Sequence, residues 1–295
     1  MMDLTIAIVS YNAKEELAAC LESVFASTRL DSYEVIVADN ASTDETVEML
    51  ADRFPRVRII ASPDNLGFGR ASNLCWHEAK SSLVLFLNSD TVVSDRALDR
   101  LVELARNRPE AGAIGPRLLY PDGEVQMSFG AMPGIASEIL QKLWNTGYAR
   151  GKGPLRGAVR KRYSRERAVD WVSGACLLTR RDTLETVSGF DENFFLYSED
   201  VDLCARIRAT GAQIIFTPEV EIVHLVGRSV SKNRDRVVYE SHRSRIYFYE
   251  KHHRTLEVLL LKLYMTVKAG VLAVLRPRDR ALYGRILSLA RGVER

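Results

Sequence analysis

Only four cysteines occur in 295 residues, and no two form a CxxC pair, which leaves little material for a disulfide framework or a zinc site. Cys20, Cys75, Cys176 and Cys204 each lie in an apolar or helical stretch, which predicts buried, reduced thiols in a reducing compartment. No leader precedes the strand-like run Leu4 to Val9, so no signal peptide is expected. There is no GxGxxG after that run and no GxxxxGK[ST] anywhere. These absences remove the dinucleotide fingerprint and the P-loop. A nucleotide would have to be held by side chains at strand ends.

With 46% hydrophobic and 27% charged residues, the chain is globular and long enough for one large domain plus an appendage. The net charge of +3 conceals an asymmetry. From Val226 onward, 16 Lys and Arg face 6 Asp and Glu, a net of +10, which leaves −7 on the first 225 residues. A basic tail on an acidic body points to a polyanionic surface, membrane or nucleic acid. The tail also contains an apolar run and no nucleic-acid recognition motif, so no nucleic-acid partner is expected.

The first 90 residues alternate strand and helix: strands at 4–9, 35–38, 57–60 and 83–87, helices at 13–27, 44–53 and 70–79. That order implies an α/β fold with a parallel, doubly wound sheet. Leu83 to Leu87 are apolar without interruption, as in a central strand buried on both faces. The polar ends Ser10-Tyr11-Asn12, Asp39 to Asp44 and Asn88-Ser89-Asp90 all fall at the carboxyl edge, where open α/β sheets bind ligands. Asp90 there is either part of an Asx-type turn or a ligand for a cation or polar group.

Farther on, Met132 to Arg167 is Gly-rich and basic and reads as a loop or lid. A strand over 169–178, bent at Gly174, and a helix over 200–210 follow. Glu199, Asp200 and Asp202 crowd the start of that helix. Its macrodipole accounts for one or two acids but not easily for three that repel. Strands at 213–217 and 220–223 lead to His224.

Taken together these residues resemble the family 2 glycosyltransferases of GT-A fold, and within them the rhamnosyltransferase-like branch, over about residues 3–230. Val9-Ser10-Tyr11-Asn12 is similar to the first nucleotide-contacting turn. Asp39-Asn40-Ala41-Ser42-Thr43-Asp44 is similar to the base- and ribose-contacting loop. Asn65 to Asn73, with Gly67 and Arg70, is close to a motif of this branch. Asn88-Ser89-Asp90 stands where the family has DxD, with Asn88 replacing the first carboxylate. Trp171 to Ala175 and Phe190 to Phe195 lead to Glu199-Asp200, which resembles the acceptor-side acid pair. His224 to Ser229, including Arg228 and Ser229, resembles the closing loop at the diphosphate.

The resemblance implies an inverting, metal-dependent hexosyltransferase that uses Mg²⁺ or Mn²⁺. Asp90 and His224 are expected to hold the metal and Asp200 to act as general base. Glu199, Trp171 and Gly174 are expected on the acceptor side. Ser10, Tyr11, Asn12, Asp39, Ser42, Asp44, Asn65, Gly67, Arg70, Asn73, Asn88 and Asp90 are expected on the donor side. Asp39 suits the N3–H of uracil or thymine, which favours a UDP- or dTDP-sugar, with dTDP-rhamnose first. A lipid-linked or glycan acceptor in cell-envelope synthesis is expected; the alternatives are another UDP- or dTDP-sugar, or a catalytically weak nucleotide-sugar-binding protein.

The division expected is a catalytic domain at 1–236, with a donor half to about 110 and an acceptor half from 111, and a helical extension at 237–295. Leu256 to Leu275 is long enough to cross a bilayer, but Glu257, Lys262 and Lys268 oppose spanning. Amphipathic helices on an anionic membrane surface are expected, with Lys251, Arg254, Arg276, Arg278 and Arg280 facing headgroups. The protein would then be cytoplasmic and peripheral on the inner face of the membrane. Packing of the same helices on the catalytic domain or on a second copy, as a homodimer, is the other reading.

Overall fold

The computed structural model describes residues 2–149, 153–225 and 234–293. β1 (Leu4–Ser10), α1 (Lys14–Ser27), β2 (Tyr33–Asp39), α2 (Thr46–Arg53), β3 (Val57–Ala61), α3 (Phe68–His77) and β4 (Leu83–Asn88) alternate as the apolar periodicity predicts. β1 pairs in parallel with β2 and β4, and β2 in parallel with β3. Alternate residues of these strands serve different cores. Ile6, Ile8, Leu85 and Leu87 pack with Leu17, Leu21 and Leu101 on one face. Ala7, Val84 and Phe86 pack with Cys75, Trp76 and Phe190 on the other. An uninterrupted apolar run is what such two-sided burial requires.

The chain continues through β5 (Thr91–Val93), α4 (Ala97–Arg106), β6 (Ala111–Leu119), β7 (Val125–Gln126), β8 (Phe129–Gly130), α5 (Ile135–Ala149) and α6 (Gly153–Arg162). β9 (Arg167–Val169), β10 (Trp171–Val172), β11 (Cys176–Arg180), α7 (Arg181–Val187), α8 (Glu199–Ala209) and β12 (Gln213–His224) follow. The main path of the sheet runs β3-β2-β1-β4-β11-β6-β12-β5. β11 enters antiparallel between β4 and β6, so the first four strands and the later ones share one sheet. β12 runs parallel to β6 and antiparallel to β5, with a register shift between Thr217 and Glu221. Pro218 lies in that shift, where its missing N–H cannot serve the ladder.

Met132 to Arg167 is not a loop. It contains α5 and α6, and the fully buried Val159 and Tyr163, one helical turn apart, anchor its end in the core. Tyr163 packs on Phe129 and Phe216, and its hydroxyl accepts from Ser128 N–H at 2.9 Å. The glycines and arginines of this stretch dominate its composition but not its packing. The single strand expected over 169–178 is likewise broken: β10 pairs with β8 in a separate ribbon, while β11 joins the main sheet. All four cysteines are free and buried, as expected, and burial pushes the Cys20 thiol up to about 11.

α9 (Arg234–His252), α10 (Thr255–Leu275) and α11 (Arg280–Ala290) close the chain. The boundary expected at 236/237 falls inside α9. These helices form a third core around Tyr249, Leu261, Met265 and Ile286, and Phe194 and Val201 of the catalytic part belong to it.

Gly67 has φ +82°, and a Cβ there would lie 2.2 Å from the Phe195 carbonyl oxygen. Gly123 has φ +81° but open space around it. Gly123→Ala is therefore expected to show backbone strain alone, about 1 kcal/mol. Gly67→Ala adds a backbone clash of the kind that costs about 1–3 kcal/mol more. Urea unfolding of the two variants measures the difference.

Candidate active site

Three strand ends build one rim. Ser10 at the end of β1 is buried, with its hydroxyl unpartnered among the described residues, and Tyr11 beside it is half-buried. Asp39 at the end of β2 is also buried: Oδ2 accepts from Ser42 N–H at 3.0 Å, while Oδ1 has no partner among the described residues. A desolvated acceptor atom without a donor is a binding group for a ligand N–H.

Ser42, Asp44 and Asn12 tie the two loops together. Asn12 N–H donates to Ser42 Oγ at 2.9 Å, Thr43 N–H to Asn12 Oδ1 at 2.7 Å, and Lys14 N–H to Asp44 Oδ2 at 3.1 Å. Asn12, Ala41 and Glu45 all have positive φ, and such strained backbone gathers where a site must be shaped. Glu45 occupies the N-cap of α2.

Asn65 and Gly67 belong to a turn built by Asn40, a loop residue to which the sequence reading gave no role of its own. Asn40 Nδ2 donates to Asn65 Oδ1 at 3.0 Å, and Asn40 Oδ1 accepts from Leu66 N–H at 2.8 Å. Phe68 N–H, at the start of α3, donates to the Phe195 carbonyl at 2.9 Å. Gly67 and Gly69 permit that approach: a Cβ on Gly69 would lie 3.2 Å from Phe190 Cβ. Arg70 pairs with Glu192 at 2.9 Å. The buried Asn73 is committed to Phe190, Glu192 and Trp76, which makes it a brace for the segment that leads to the acids.

At the end of β4, Asp90 meets His224. The β12–β5 pairing sets His224 opposite Thr91, and Leu225 N–H donates to the Asp90 carbonyl at 2.9 Å. Asp90 Oδ1 lies 3.1 Å from His224 Nε2, and Asn88 Nδ2 lies 3.3 Å from the same nitrogen. His224 Nδ1 is 3.0 Å from Gln126 Oε1, an acceptor that fixes the ring so that Nε2 turns its lone pair toward Asp90. A carboxylate oxygen and an imidazole lone pair at about 3 Å are placed as neighbouring ligands of one octahedral cation. Among the described residues no third His, Cys, Asp or Glu joins them. The set fits a cation that also binds substrate phosphates. Arg228 and Ser229 lie outside the described residues.

Across the cleft, Gly174 and Ala175 connect this end to the acids. Asn88 N–H donates to the Ala175 carbonyl at 3.0 Å, and Gly174 N–H donates to Asp200 Oδ2 at 2.8 Å. A Cβ on Gly174 would lie 3.2 Å from Asp200 Cβ. Trp171 is held by its indole N–H on the Ala131 carbonyl at 2.9 Å. Glu199 and Asp200 open α8. Burial raises both carboxyl pKa values, that of Glu199 well above its usual range with the Asp200 charge adding to the effect. Glu199 Oε2 is buried and unpartnered among the described residues. Desolvation and the proximity of the two carboxyls disfavour ionising both at once.

Asp202 plays a different part. It is wholly buried, and its oxygens meet Arg206 at 2.7 Å, Lys251 at 2.8 Å and His252 at 2.7 Å. Burial would raise its pKa, but these partners hold it below the ordinary range. Lys251, expected to face headgroups, instead bridges Asp202 and Asp191 between α9 and the catalytic part.

Tyr197 is a further residue the sequence reading missed. It and Ser198 both have φ +67°, and Tyr197 is 42% exposed. Burial of the hydroxyl, with smaller effects of the Glu199 and Asp90 charges, raises its pKa. A Tyr in a left-handed conformation carries no sequence signal of its kind.

A raised carboxyl pKa means that the folded state holds its proton more tightly than the unfolded chain. This contribution to stability is complete below the ordinary carboxyl range and is lost as pH rises through the raised values. Glu199→Gln, which never ionises, is expected to melt above wild type at pH 8. The gap should close as pH falls to about 4, where an ordinary glutamate protonates. A thermal-melt series across that range checks it.

Residues 5–186 match the family described as Glycosyl transferase family 2. Over 261 residues the chain is 30% identical to N-acetylglucosaminyl-diphospho-decaprenol L-rhamnosyltransferase of Mycobacterium tuberculosis, covering 85% of each chain. Over 229 residues it is 25% identical to Rhamnosyltransferase WbbL of Escherichia coli K12, covering 74% of this chain and 82% of that one. In fold it matches the mannosyltransferase PcManGT of Pyrobaculum calidifontis, solved with GDP-Man and Mn²⁺, at a TM-score of 0.60 and 16% identity. That match covers 97% of this chain and 69% of the other. The mostly parallel sheet with flanking helices is thus the GT-A architecture the motifs implied. With its strand-end rim, its Asp90–His224 pair and its acid pair, the chain belongs to the family 2 glycosyltransferases.

Proposed function

We propose that the chain moves L-rhamnose from dTDP-rhamnose, with inversion, to a hydroxyl of a lipid-linked acceptor during cell-envelope glycan synthesis. The resemblance to two rhamnosyltransferases, one named for a lipid-diphosphate acceptor, supports the sugar and the acceptor class. The observation that supports the reaction is the short hydrogen-bonded path Asn88–Ala175–Gly174–Asp200, which links the end of β4 beside the Asp90–His224 pair to the acid pair.

In this reading Asp39 Oδ1 accepts the N3–H of thymine or uracil. Asp200 takes the proton of the acceptor hydroxyl as that oxygen attacks the anomeric carbon. Attack comes from the face opposite the diphosphate, whose bond to the sugar breaks, so the configuration inverts. The protonated Glu199 donates a hydrogen bond to the acceptor and keeps the cleft from carrying two adjacent anions. Mg²⁺ or Mn²⁺, held by Asp90 and His224 together with donor phosphate oxygens, would offset the charge of the leaving diphosphate.

The face of α10 that carries Leu256, Leu259, Leu263, Val267, Val271 and Val274 is exposed, while Val258, Leu261, Met265 and Ala269 pack inward. α10 is long and apolar enough to cross a bilayer, with a mean hydropathy of 1.9. Its inward face and its ties to α9 and α11 favour lying on the cytoplasmic membrane surface instead, where the acceptor lipid is.

Asp200→Asn is expected to reduce rhamnosyl transfer by about 10²–10⁴-fold, the usual contribution of a general base. Thermal protection by dTDP-rhamnose should persist in that variant. Full transfer activity in Asp200→Asn would remove the base from Asp200. Asp39→Asn is expected to lose the protection by dTDP-rhamnose, and EDTA should abolish transfer until Mg²⁺ or Mn²⁺ is restored.

A further inference from the structure

α9, α10 and α11 enclose a cavity of about 310 Å³ away from the cleft just described. His242 and Arg245 on α9, with Lys268 and Arg276 from α10 and its end, bring four basic side chains to its wall. Met265, Leu272 and Ile286 make the rest of the lining apolar.

Arg245 is neutralised by Glu138. Lys268 has the Tyr264 ring at 5.9 Å but, among the described residues, neither it nor Arg276 has a carboxylate at salt-bridge distance. His242 Nδ1 donates to the Val238 carbonyl at 2.7 Å, which leaves Nε2 for another partner. Burial and the charge of Lys268 both lower the His242 pKa, so these two groups are near neighbours. On the same helices Lys251, Lys262 and Arg234 do meet acids. Unpaired cations around an apolar pocket call for an anion with an apolar attachment.

Position narrows the anion further. Tyr264, Lys268, Leu272 and Arg276 recur every four residues along one side of the helix. The exposed Leu263, Val267 and Val271 are each offset by one residue, about 100° round it. The basic pocket therefore opens beside the unpartnered apolar face. A nucleic-acid backbone would have its charge matched there but not that face.

We propose that this cavity binds the phosphate headgroup of an anionic membrane phospholipid, with its acyl chains along the exposed face of α10. The site goes beyond the transfer reaction and does not depend on it. It would fix the rotation of α10 on the membrane, and through α9 the height of the cleft above it.

The full-length protein is titrated with dihexanoylphosphatidylglycerol below its micelle concentration, with the unfolding temperature as readout. Wild type should be stabilised. The double variant Lys268→Gln/Arg276→Gln, altered only at exposed side chains, should bind about a hundredfold more weakly, since each charge-assisted contact is worth about tenfold or more. Arg278→Gln/Arg280→Gln, outside the cavity, should bind as wild type does. Equal protection by dihexanoylphosphatidylcholine would reduce the site to an apolar surface. Equal protection by inorganic phosphate or a short oligonucleotide would reassign it to a soluble phosphate or a nucleic acid. Equal loss in both double variants would replace the site by diffuse surface charge. Each of these three results overturns the proposal.

Discussion

Two acids open one helix, the buried Glu199 and the half-buried Asp200, with no cation paired to them among the described residues, and much of the nearby structure answers that demand. The helix N-terminus supplies partial positive charge, and the N–H groups of Gly174 and Val201 supply hydrogen bonds to Asp200. Burial and the neighbouring Asp200 charge raise the Glu199 pKa, so ionising both acids together is disfavoured. Asp202, on the same helix, receives Arg206, Lys251 and His252. One acid thus fastens the helix while its neighbours stay free for chemistry.

The segment that delivers these acids is held from two sides. On one, Gly67 and Gly69 let α3 approach residues 190–199 closely enough for a hydrogen bond from Phe68 N–H to the Phe195 carbonyl. On the other, Ser244 Oγ of α9 donates to the Leu196 carbonyl at 2.8 Å, and Phe194 is buried against Tyr247. Left-handed conformations at Tyr197 and Ser198 cost about 1–3 kcal/mol each and persist only where surroundings determine them. The C-terminal helices belong to those surroundings. They are part of the catalytic architecture as well as a surface beside it.

The donor half could be read from its residues because its signals are local. Apolar runs of four or five residues, each stopped by Asn, Asp or Ser, give strands whose ends must share a rim. The resemblance then placed Asp90 with His224, a pairing of residues 134 apart that no periodicity reveals. Other features depend on packing at a distance. Val159 and Tyr163 convert an Arg- and Gly-rich stretch into a docked helix, a signal only two residues wide. The antiparallel entry of β11 leaves no mark in its own sequence. Lys251 reads as a surface cation until two buried or half-buried aspartates are found on either side of it. Gln126 becomes meaningful only once the His224 ring is seen to lean on it.

The irregular stretch of β12 around Pro218 bears on how this chain can vary. Successive side chains of a strand point to opposite faces, so the extra residues there decide which way the imidazole at its end is aimed. Substitutions along the strand leave that aim intact, whereas gain or loss of one residue would turn His224 from Asp90 toward the opposite side of the sheet. Surface connections in such an enzyme tolerate insertions and deletions freely. This strand has to keep its length, residue for residue, for as long as the chain works as a transferase.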